Sequence, residues 1–482
     1  MKLDNAPLFV TTCRIGSEDI AGEELEVNNP STGQVVARVP KLGAKEAIWA
    51  VEAAQQALPE WAKRTAAQRG QLLHSLANII EKNQEDLARL LTAEQGKPLA
   101  EARGEIGMSA AYVRWFAEEA RRIYGDIIPS PWLNRKLLVT KEPIGVVGAI
   151  TPWNFPSSMI ARKLGPALAA GCTIVIKPAS QTPLSGLVWA KLAKMAGIPD
   201  GVVNVISGNA REIADIFCSH PAVKKITFTG STEIGRRLNE NAARHLKKVT
   251  MELGGNAPFI VLDDADLDAA VLGAISSKFR NAGQTCVCTN RFLVQSGIYD
   301  RFVETFAGAV RSLTVADGTT DGADQGPLID SAAVHKVEAH IKNAVLLGGQ
   351  VQCGGRRSEL GGTFFEPTVI SNVTSEMDVA REETFGPLAP IFCFETEQDA
   401  LRIANSTEYG LAAYVYTRDL GRAMRFSEQL KFGIIGVNEG IVTTEVAPFG
   451  GVKESGMGRE GSYYGIEDYL SVKYTCLGGL GA

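Results

Sequence analysis

The sequence predicts an α/β protein built on doubly wound parallel sheets, and three observations lead to that fold class. Short apolar runs recur from Ile144 onward, and a helical pattern follows most of them, as in a parallel sheet. Polar or glycine-rich segments stand directly after these runs, at the strand ends where such sheets bind ligands. The length of 482 residues suggests two to four domains.

The composition is ordinary for a globular protein, with 45% hydrophobic and 21% charged residues. A net charge of −5 and the lack of a basic run argue against nucleic-acid binding. No apolar segment reaches the length of a membrane span, and no signal peptide is expected. The eight cysteines show no disulfide framework, which favours a reducing cytoplasm, and the five histidines stand at no metal-ligand spacing.

The N-terminal third is expected to contain strands, then helices, then strands again. Residues 1–40 predict short strands with a turn at 29–33, and amphipathic patterns predict packing helices over about 44–120. Strand-like pieces follow near 125–142, and another stands at 469–476. These pieces could pair with each other or with a second subunit, and an oligomerisation role is favoured.

The parallel strands themselves are expected in two groups. A helix from Ser185 should end near Gly197, because glycine followed by proline terminates helices. The first group lies at 144–150, 173–176, 202–205, 225–229 and 249–252, and the second includes 258–262, 367–370 and 388–394. Polar residues at or just beyond the ends of the first group are Asn154, Lys177, Ser180, Gly230 and Glu252.

Two glycine-rich segments could hold a nucleotide phosphate. Residues 230–235 follow a strand and open a helix, but their spacing is G-x-x-x-x-G, and only the helix amides and Ser231 would bind. Residues 456–461 match G-x-G-x-x-G, yet no buried strand leads into them, so they are interpreted as a decoy. Spacing alone makes each a weak signal.

Cys286 is the candidate nucleophile. An apolar stripe from Leu267 to Phe279 predicts a helix that Gly283 ends or bends, which would hold a thiol rigidly and still expose it. Such a thiol reacts only where its thiolate is favoured. Taken alone, a cysteine in a long chain is more often a small buried hydrophobe.

Seven motifs together resemble the aldehyde dehydrogenase superfamily, in the order that the family has them and over the chain from about residue 10 to the end. They are TPWNFP at 151–156, KPAS at 177–180, FTGSTEIG at 228–235, MELGG at 251–255, GQTC at 283–286, ETFGP at 383–387 and PFGG at 448–451. Three further stretches are most similar to succinate-semialdehyde dehydrogenases: MIARK at 159–163, FRNAGQTCVC at 279–288 and YGIEDY at 464–469.

The resemblance implies two doubly wound parallel-sheet domains and a small β extension for oligomerisation. The cofactor-binding domain is expected at 1–122 and 143–252, the catalytic domain at 253–440, and the bridging segment at 123–142 and 460–482. It also implies a homo-oligomer, dimer or tetramer, and no metal.

The resemblance also implies the chemistry. Cys286 attacks the aldehyde carbon to give a thiohemiacetal, and its oxyanion is bound by the Asn154 amide and the backbone N–H of Cys286. Glu252 acts as the general base that activates water to hydrolyse the later thioester. Without its motif, Glu252 would be read as a carboxylate in a salt bridge.

The cofactor residues carry over from the same motifs, and NADP or NAD is implied. Trp153 and Asn154 should lie beside the nicotinamide, Lys177 and Ser180 beside the adenosine ribose, Gly230 and Ser231 beside the pyrophosphate, Leu253 beside the carboxamide, and Glu383 with Phe385 beside the nicotinamide ribose. NAD-preferring relatives often carry Glu where this chain has Ser180. Because Ser180 does not repel a 2′-phosphate and Lys177 attracts one, NADP is expected to be accepted, and the preference between the two stays open.

The substrate residues implied are Arg162 and Arg280, whose guanidinium groups would hold the far carboxylate of a semialdehyde. Thr443 stands where the family usually has a serine, which leaves the pocket length open. Succinate and glutarate semialdehyde differ by one methylene, worth only about 1–3 kcal/mol, so the sequence does not separate them.

Several alternatives stay open at this point. A broad aldehyde dehydrogenase for uncharged aldehydes is the alternative enzyme, and a catalytically silent binding or structural protein is the alternative from another class. A CoA-acylating relative would generally lack the base that Glu252 supplies. Cys288 could form a disulfide with Cys286, but packing is favoured because such close pairs are usually strained.

Overall fold

The structure is a computed structural model that describes residues 3–480, and it contains fourteen α-helices and twenty strands within that range. The strands are β1 (Cys13–Ile15), β2 (Glu18–Ile20), β3 (Leu25–Asn28), β4 (Val35–Val39), β5 (Asp126–Ile128), β6 (Lys136–Pro143), β7 (Val146–Ile150), β8 (Thr173–Lys177), β9 (Val203–Val205), β10 (Val223–Thr229), β11 (Lys248–Glu252), β12 (Ala257–Val261), β13 (Thr289–Gln295), β14 (Gln350–Cys353), β15 (Thr368–Ser371), β16 (Leu388–Phe394), β17 (Ala412–Tyr416), β18 (Ile434–Val437), β19 (Gly456–Met457) and β20 (Leu470–Leu477). The helices are α1 (Ala44–Ala62), α2 (Ala66–Lys82), α3 (Gln84–Gln95), α4 (Leu99–Glu119), α5 (Ser158–Ala170), α6 (Leu184–Met195), α7 (Ala210–Ser219), α8 (Thr232–Ala243), α9 (Leu267–Lys278), α10 (Tyr299–Arg311), α11 (Ser331–Leu346), α12 (Glu397–Asn405), α13 (Leu420–Gln429) and α14 (Tyr464–Glu467).

The first large sheet has the order β19-β11-β10-β7-β8-β9-β1-β2. Its five central strands are parallel, and all five match the first group predicted from the sequence within two residues at each end. The chain runs outward from β7 through β8 to β9 and then crosses to β10 on the other side. The strand order therefore reverses between β7 and β10, and ligands of such sheets bind at that crevice.

The second large sheet has the order β14-β15-β16-β13-β12-β17-β18, and all its pairs are parallel except β14 with β15. Apolar side chains are buried on both of its faces, as they are around the first sheet. Only a short connection, residues 253–256, joins β11 of the first sheet to β12 of the second. The carboxyl edge of the first sheet therefore faces the amino edge of the second.

A small sheet of order β20-β6-β5 is antiparallel throughout. Of the two pairings that the sequence left open, the strand-like pieces thus pair with each other, from Leu470 opposite Pro143 to Leu477 opposite Lys136. Several of its apolar side chains remain exposed, among them Ile127 at 78% and Val472 at 67%.

The helix that leads to Cys286 differs from the prediction, because it ends at Lys278 rather than near Gly283. Asn281 and Ala282 take left-handed backbone angles, with φ of 51° and 56°, so the chain turns sharply after α9. The turn at 29–33 is present, and the Gly33 N–H donates to the Asn29 carbonyl at 2.7 Å. Within residues 3–480 no helix has both the length and the apolar composition to cross a membrane.

Candidate active site

Two of the residues singled out at strand ends, Asn154 and Glu252, lie near Cys286 where the two sheets face each other. Cys286 lies on the loop before β13, at the amino edge of the second sheet, and Glu252 ends β11 of the first. Glycine is required where the Cys286 loop contacts its neighbouring loops, because a side chain would not fit there. A Cβ on Gly255 would lie 2.6 Å from the Cys286 carbonyl oxygen, and one on Gly283, where φ is +74°, would lie 2.2 Å from the Gly386 carbonyl oxygen.

The Cys286 side chain is half-buried and lines a cavity of about 260 Å³. The other lining residues include Arg162, Arg280, Thr443, Phe155, Phe449 and Glu101. Burial raises the pKa of the Cys286 thiol to about 12, and the Arg162 charge only partly offsets this. In the unliganded protein this cysteine is therefore a protonated thiol, and its reactivity depends on a nearby group that can take the proton.

The Asn154 side chain is buried beside the cysteine loop. Its Nδ2 donates to the Gln284 carbonyl at 3.0 Å, which fixes the amide against the segment leading to Cys286. The backbone carbonyl of Asn154 accepts from two side chains, Lys97 Nζ at 2.7 Å and Asn281 Nδ2 at 3.0 Å. An amide nitrogen held in this way is suited to stabilise negative charge on a reacting oxygen.

Glu252 is buried, and neither of its carboxyl oxygens has a hydrogen-bond partner in the described protein. Burial raises the pKa of Glu252 well above its ordinary value, and the neighbouring Glu460 raises it further. Glu460 is itself paired with the buried ammonium of Lys163, which also donates to Thr229 Oγ1 at 2.7 Å. A carboxylate with a raised pKa and no fixed partner is well suited to accept a proton.

Arg162 crosses the end of the cavity between two aromatic rings. Its guanidinium carbon lies 4.4 Å from the Phe449 ring centroid and 4.8 Å from that of Tyr112. Its Nε and Nη1 are buried and have no hydrogen-bond partner among residues 3–480, and Glu460 Oε2 lies 4.0 Å from Nη1. Buried donors are nearly always paired in folded proteins, so these two indicate a ligand that accepts hydrogen bonds.

Arg280 opens into the same cavity from the cysteine loop. Its Nε is also buried without a partner, and its guanidinium lies 5.7 Å from the Phe155 ring centroid. Thr443 stands on a loop that Tyr112 ties down, since the Tyr112 hydroxyl donates to the Thr444 carbonyl at 3.1 Å. The three predicted substrate residues are thus brought together around one cavity with Cys286.

Two of the predicted cofactor residues line a second cleft of about 550 Å³. Ser231 and Glu383 line that cleft from opposite sheets. Trp153 and Phe385 meet edge to face, with ring centroids 5.5 Å apart. The Leu253 N–H donates to the Ser455 carbonyl, so a backbone contact from Leu253 to a ligand would use its own carbonyl.

Lys177 is the last residue of β8, which lies next to β7 in the first sheet, and Ser180 follows that strand. Lys177 is buried, and this burial lowers its pKa to about 8. Gly230 follows β10, and Ser231 precedes α8 without capping it through its side chain. The described residues include no group of three or more His, Cys, Asp or Glu arranged to hold a metal ion.

Cys288 turns away from the cavity. It is buried, and its Sγ lies 3.3 Å from the Lys278 carbonyl oxygen, to which it donates. This placement gives it a packing contact on the far side of the loop from the substrate arginines.

A family model for the aldehyde dehydrogenase family matches residues 17–475. The chain belongs to the aldehyde dehydrogenase family. The resemblance drawn from the motifs is thereby confirmed, and so is the fold class.

Close relatives of this aldehyde dehydrogenase act on different aldehydes, as their names state. A 3-sulfolactaldehyde dehydrogenase of Pseudomonas putida is 58% identical over 95% of both chains. A glutarate-semialdehyde dehydrogenase of Pseudomonas aeruginosa is 57% identical over the full length of both. The NADP(+) succinate-semialdehyde dehydrogenase of Escherichia coli K12 is 56% identical over 99% of this chain and all of the relative. The crystal structure of an E. coli NADP dependent enzyme superposes with a TM-score of 0.98 at 56% identity, over 99% of this chain and all of the other.

Sequence reasoning missed several buried polar residues of this aldehyde dehydrogenase. Lys97 and Glu105 lie beneath Asn154, and Lys163 and Glu460 lie behind Glu252. Glu460 falls in the segment 456–461, which forms the edge strand β19 and a loop rather than a strand–turn–helix unit. Only the motif MIARK pointed toward any of the four, through Lys163, because charged residues are usually read as solvent-exposed.

Proposed function

We propose that this aldehyde dehydrogenase oxidises aldehydes that carry a second, anionic group, with succinate semialdehyde as the leading substrate and glutarate semialdehyde as the next. The observation that carries the proposal is the pair of unpartnered donors on Arg162, buried in the same cavity as Cys286. A desolvated guanidinium is costly unless an anion pairs with it. Three of the relatives named above act on aldehydes with a carboxylate or sulfonate.

Arg162 and Arg280 together would hold the distal carboxylate of the substrate. Arg162 offers Nε and Nη1, and Arg280 offers Nε, so one anion can bridge the two guanidinium groups. Thr443 adds a hydroxyl on the loop that closes the cavity. An uncharged aldehyde would leave these donors unpaired, which is why such substrates should react less efficiently.

The cofactor is NADP or NAD. Ser231 is exposed at the start of a twelve-residue helix, and its side chain makes no capping hydrogen bond. Together with Gly230 it fits a pyrophosphate. Glu383, Phe385, Trp153 and Leu253 would hold the nicotinamide half, while Lys177 and Ser180 would hold the adenosine ribose and accept a 2′-phosphate. The bound cofactor supplies the hydride acceptor.

The geometry supports the following roles for the protein in the reaction. Glu252 takes the proton of the Cys286 thiol, and the sulfur then forms a bond to the aldehyde carbon. The Asn154 amide and the Cys286 N–H donate to the oxyanion that results. After the substrate carbon has been oxidised and Glu252 has lost the thiol proton to solvent, Glu252 removes a proton from the water that attacks the thioester. The carbon–sulfur bond breaks, the carboxylic acid is released, and the Cys286 sulfur takes that proton from Glu252.

A sulfonated aldehyde is a second candidate substrate. Three buried guanidinium N–H donors without partners match the three oxygens of a sulfonate as well as they match a carboxylate. The relative from Pseudomonas putida is named for such a substrate.

A substrate panel tests this function. Initial rates of NADPH and NADH formation would be compared for succinate semialdehyde, glutarate semialdehyde, 3-sulfolactaldehyde and butanal. We expect kcat/KM to be at least about 30-fold higher for one of the anionic aldehydes than for butanal, which corresponds to about 2 kcal/mol of lost ion pairing. Equal efficiency with butanal would leave the broad-specificity alternative standing.

The assembly and the domain division are further parts of the proposal. We infer that β5, β6 and β20 form the oligomerisation segment of a dimer or tetramer, supported by their exposed apolar side chains. The two large sheets support the boundaries predicted for the cofactor-binding and catalytic domains. Eight free cysteines fit a cytoplasmic enzyme.

A further inference from the structure

A buried lysine lies directly beneath the residue that binds the oxyanion. Lys97 stands between α3 and α4, and its side chain has no solvent exposure. Its Nζ donates to the backbone carbonyl of Asn154 at 2.7 Å and to Glu105 Oε2 at 2.6 Å, and it lies 3.9 Å from the Phe155 ring centroid. Lys97 does not line the substrate cavity, although its partner Glu105 does, so Lys97 acts on the reacting atoms through Asn154 and through Glu105.

Glu105 connects the same lysine to α5. Its Oε1 accepts from the backbone N–H groups of Ser157 at 2.9 Å and Ser158 at 3.1 Å, at the start of that helix. Lys97 therefore holds the segment between β7 and α5 at the Asn154 carbonyl, and Glu105 holds the same segment where it enters α5. A buried ion pair is costly unless its remaining donors and acceptors are satisfied, and here the protein backbone satisfies them.

The second support of the Asn154 carbonyl belongs to the cysteine loop. Asn281 donates to it through Nδ2 and accepts from Gln95 Nε2 at 2.9 Å, while Gln95 Oε1 accepts from the Lys97 N–H at 3.0 Å. Lys97 and Asn281 thus converge on one oxygen from two directions. The peptide of Asn154 cannot rotate without breaking both bonds.

We propose that Lys97 is a positioning residue for the oxyanion site, which fixes the Asn154 peptide so that the side-chain amide meets the reacting oxygen. The proposal rests on the oxyanion role given to Asn154 in the proposed function. It does not depend on the substrate class, because every aldehyde develops charge on the same oxygen.

The test is a double-mutant cycle. Lys97→Met would leave Glu105 as an unpaired buried charge, so the variant to use is Lys97→Met with Glu105→Gln, which removes both charges and keeps the side-chain volumes. We expect kcat to fall by about 10- to 100-fold, with succinate semialdehyde and butanal alike, while KM for the cofactor changes little. In an Asn154→Ala background the same pair of substitutions should cost no more than about twofold, since the amide to be positioned is gone.

Three results would overturn the proposal. They are an unchanged kcat, a fall in kcat that multiplies with the fall caused by Asn154→Ala, or a rise in the KM for the cofactor as large as the fall in kcat. If the paired variant does not fold, Lys97→Arg replaces it, because Arg keeps the charge beside Glu105 but puts a longer, planar group under the carbonyl. Its loss of kcat should again vanish in the Asn154→Ala background, and an equal loss in both backgrounds would contradict the positioning role. A fall in kcat that also occurs with butanal indicates a positioning defect. A wrong substrate assignment would instead change only the ranking of the aldehydes by kcat/KM.

Discussion

At the scale of single residues, the reactive centre combines two groups whose pKa values are both raised by burial. Burial raises the pKa of the Cys286 thiol, and it also raises the pKa of Glu252 well above its ordinary value. A thiol with a raised pKa needs a stronger base, and a carboxylate with a raised pKa is one. The two shifts therefore suit a transfer of the thiol proton to Glu252 at the moment of attack.

Alkylation of Cys286 tests its protonation state. Because its thiol pKa is about 12, inactivation by iodoacetamide without cofactor should be slow at pH 7 and should keep rising tenfold per pH unit through pH 9. Arg162→Met should slow it further, since the Arg162 charge lowers the pKa of this thiol. Loss of activity is the readout, because the exposed Cys393 and Cys476 also consume reagent. A plateau below pH 8 would mean that the resting cysteine is already a thiolate.

Lys177 should make the use of NADP depend on pH. Burial lowers its pKa to about 8, so it is charged below that pH and neutral above it. A neutral lysine attracts a 2′-phosphate less, and we therefore expect kcat/KM for NADP to fall as pH rises through about 8, relative to kcat/KM for NAD at each pH. Lys177→Met should remove the difference between the two profiles. Parallel profiles in the wild type would exclude Lys177 from recognition of the 2′-phosphate.

The residues of the candidate site were largely accessible from sequence motifs, but their surroundings were not. The sequence singled out Cys286, Glu252 and Asn154, and the structure brings them to one crevice. Their roles remain predictions. Lys97 and Glu105 could not be found in the same way. They form a buried ion pair, whereas their local sequence pattern predicts solvent-exposed positions.

At the scale of elements, the cysteine loop depends on a backbone that only glycine takes easily. Gly283 has a φ of +74°, and a Cβ there would lie 2.2 Å from the Gly386 carbonyl oxygen, in the motif that contributes Glu383 and Phe385. The loop that carries Cys286 and the loop that carries two predicted cofactor residues therefore contact each other. This contact joins the predicted nucleophile to the cleft that Glu383 lines.

Gly283→Ala should disrupt that contact. The left-handed backbone alone costs about 1–2 kcal/mol for an alanine, and the contact with Gly386 adds to it. We expect a lower melting temperature and a fall in both kcat and cofactor affinity, measured by thermal unfolding and steady-state kinetics. Gly308→Ala is the matched control, because its added Cβ meets open space in α10 and should leave both unchanged or slightly improved. A Gly283→Ala enzyme as stable and active as the control would show that the two loops are independent.

Strand prediction was accurate for the parallel strands of the first sheet and incomplete in the second sheet, where only β12, β15 and β16 were predicted. The five parallel strands of the first sheet were predicted within two residues. The central strand β13 was missed because it begins with Thr289-Asn290-Arg291. Arg291 is fully buried there, where it donates to the carbonyls of Asn256, Ile403 and Ala404, which no local pattern reveals.

At the scale of the whole molecule, the two large sheets form the crevice that holds Cys286, and the small sheet exposes apolar side chains. Ile127 and Val472 are exposed apolar residues on β5 and β20, the two outer strands of that sheet on either side of β6. Exposed apolar patches of this kind are typical of subunit interfaces.

Substitution on the small sheet should therefore change the assembly state and leave the fold intact. We expect Ile127→Asp with Val472→Asp to lower the molar mass measured by light scattering, because two carboxylates would be desolvated in the interface. Leu420→Asp, at another exposed apolar position, serves as the control and should keep the wild-type mass. A wild-type monomer, or an unchanged mass in the double variant, would refute the oligomerisation role of β5, β6 and β20.

The whole-molecule account has one central claim, that the cavity beside Cys286 selects aldehydes by an anionic group that Arg162 binds. Its most direct test is kcat/KM for succinate semialdehyde and butanal, aldehydes of equal chain length, in the wild type and in Arg162→Met, with the surface variant Arg402→Met as the control. We predict a loss of about 30-fold or more for succinate semialdehyde and little change for butanal. An equal loss for both aldehydes, or none for either, would contradict the claim.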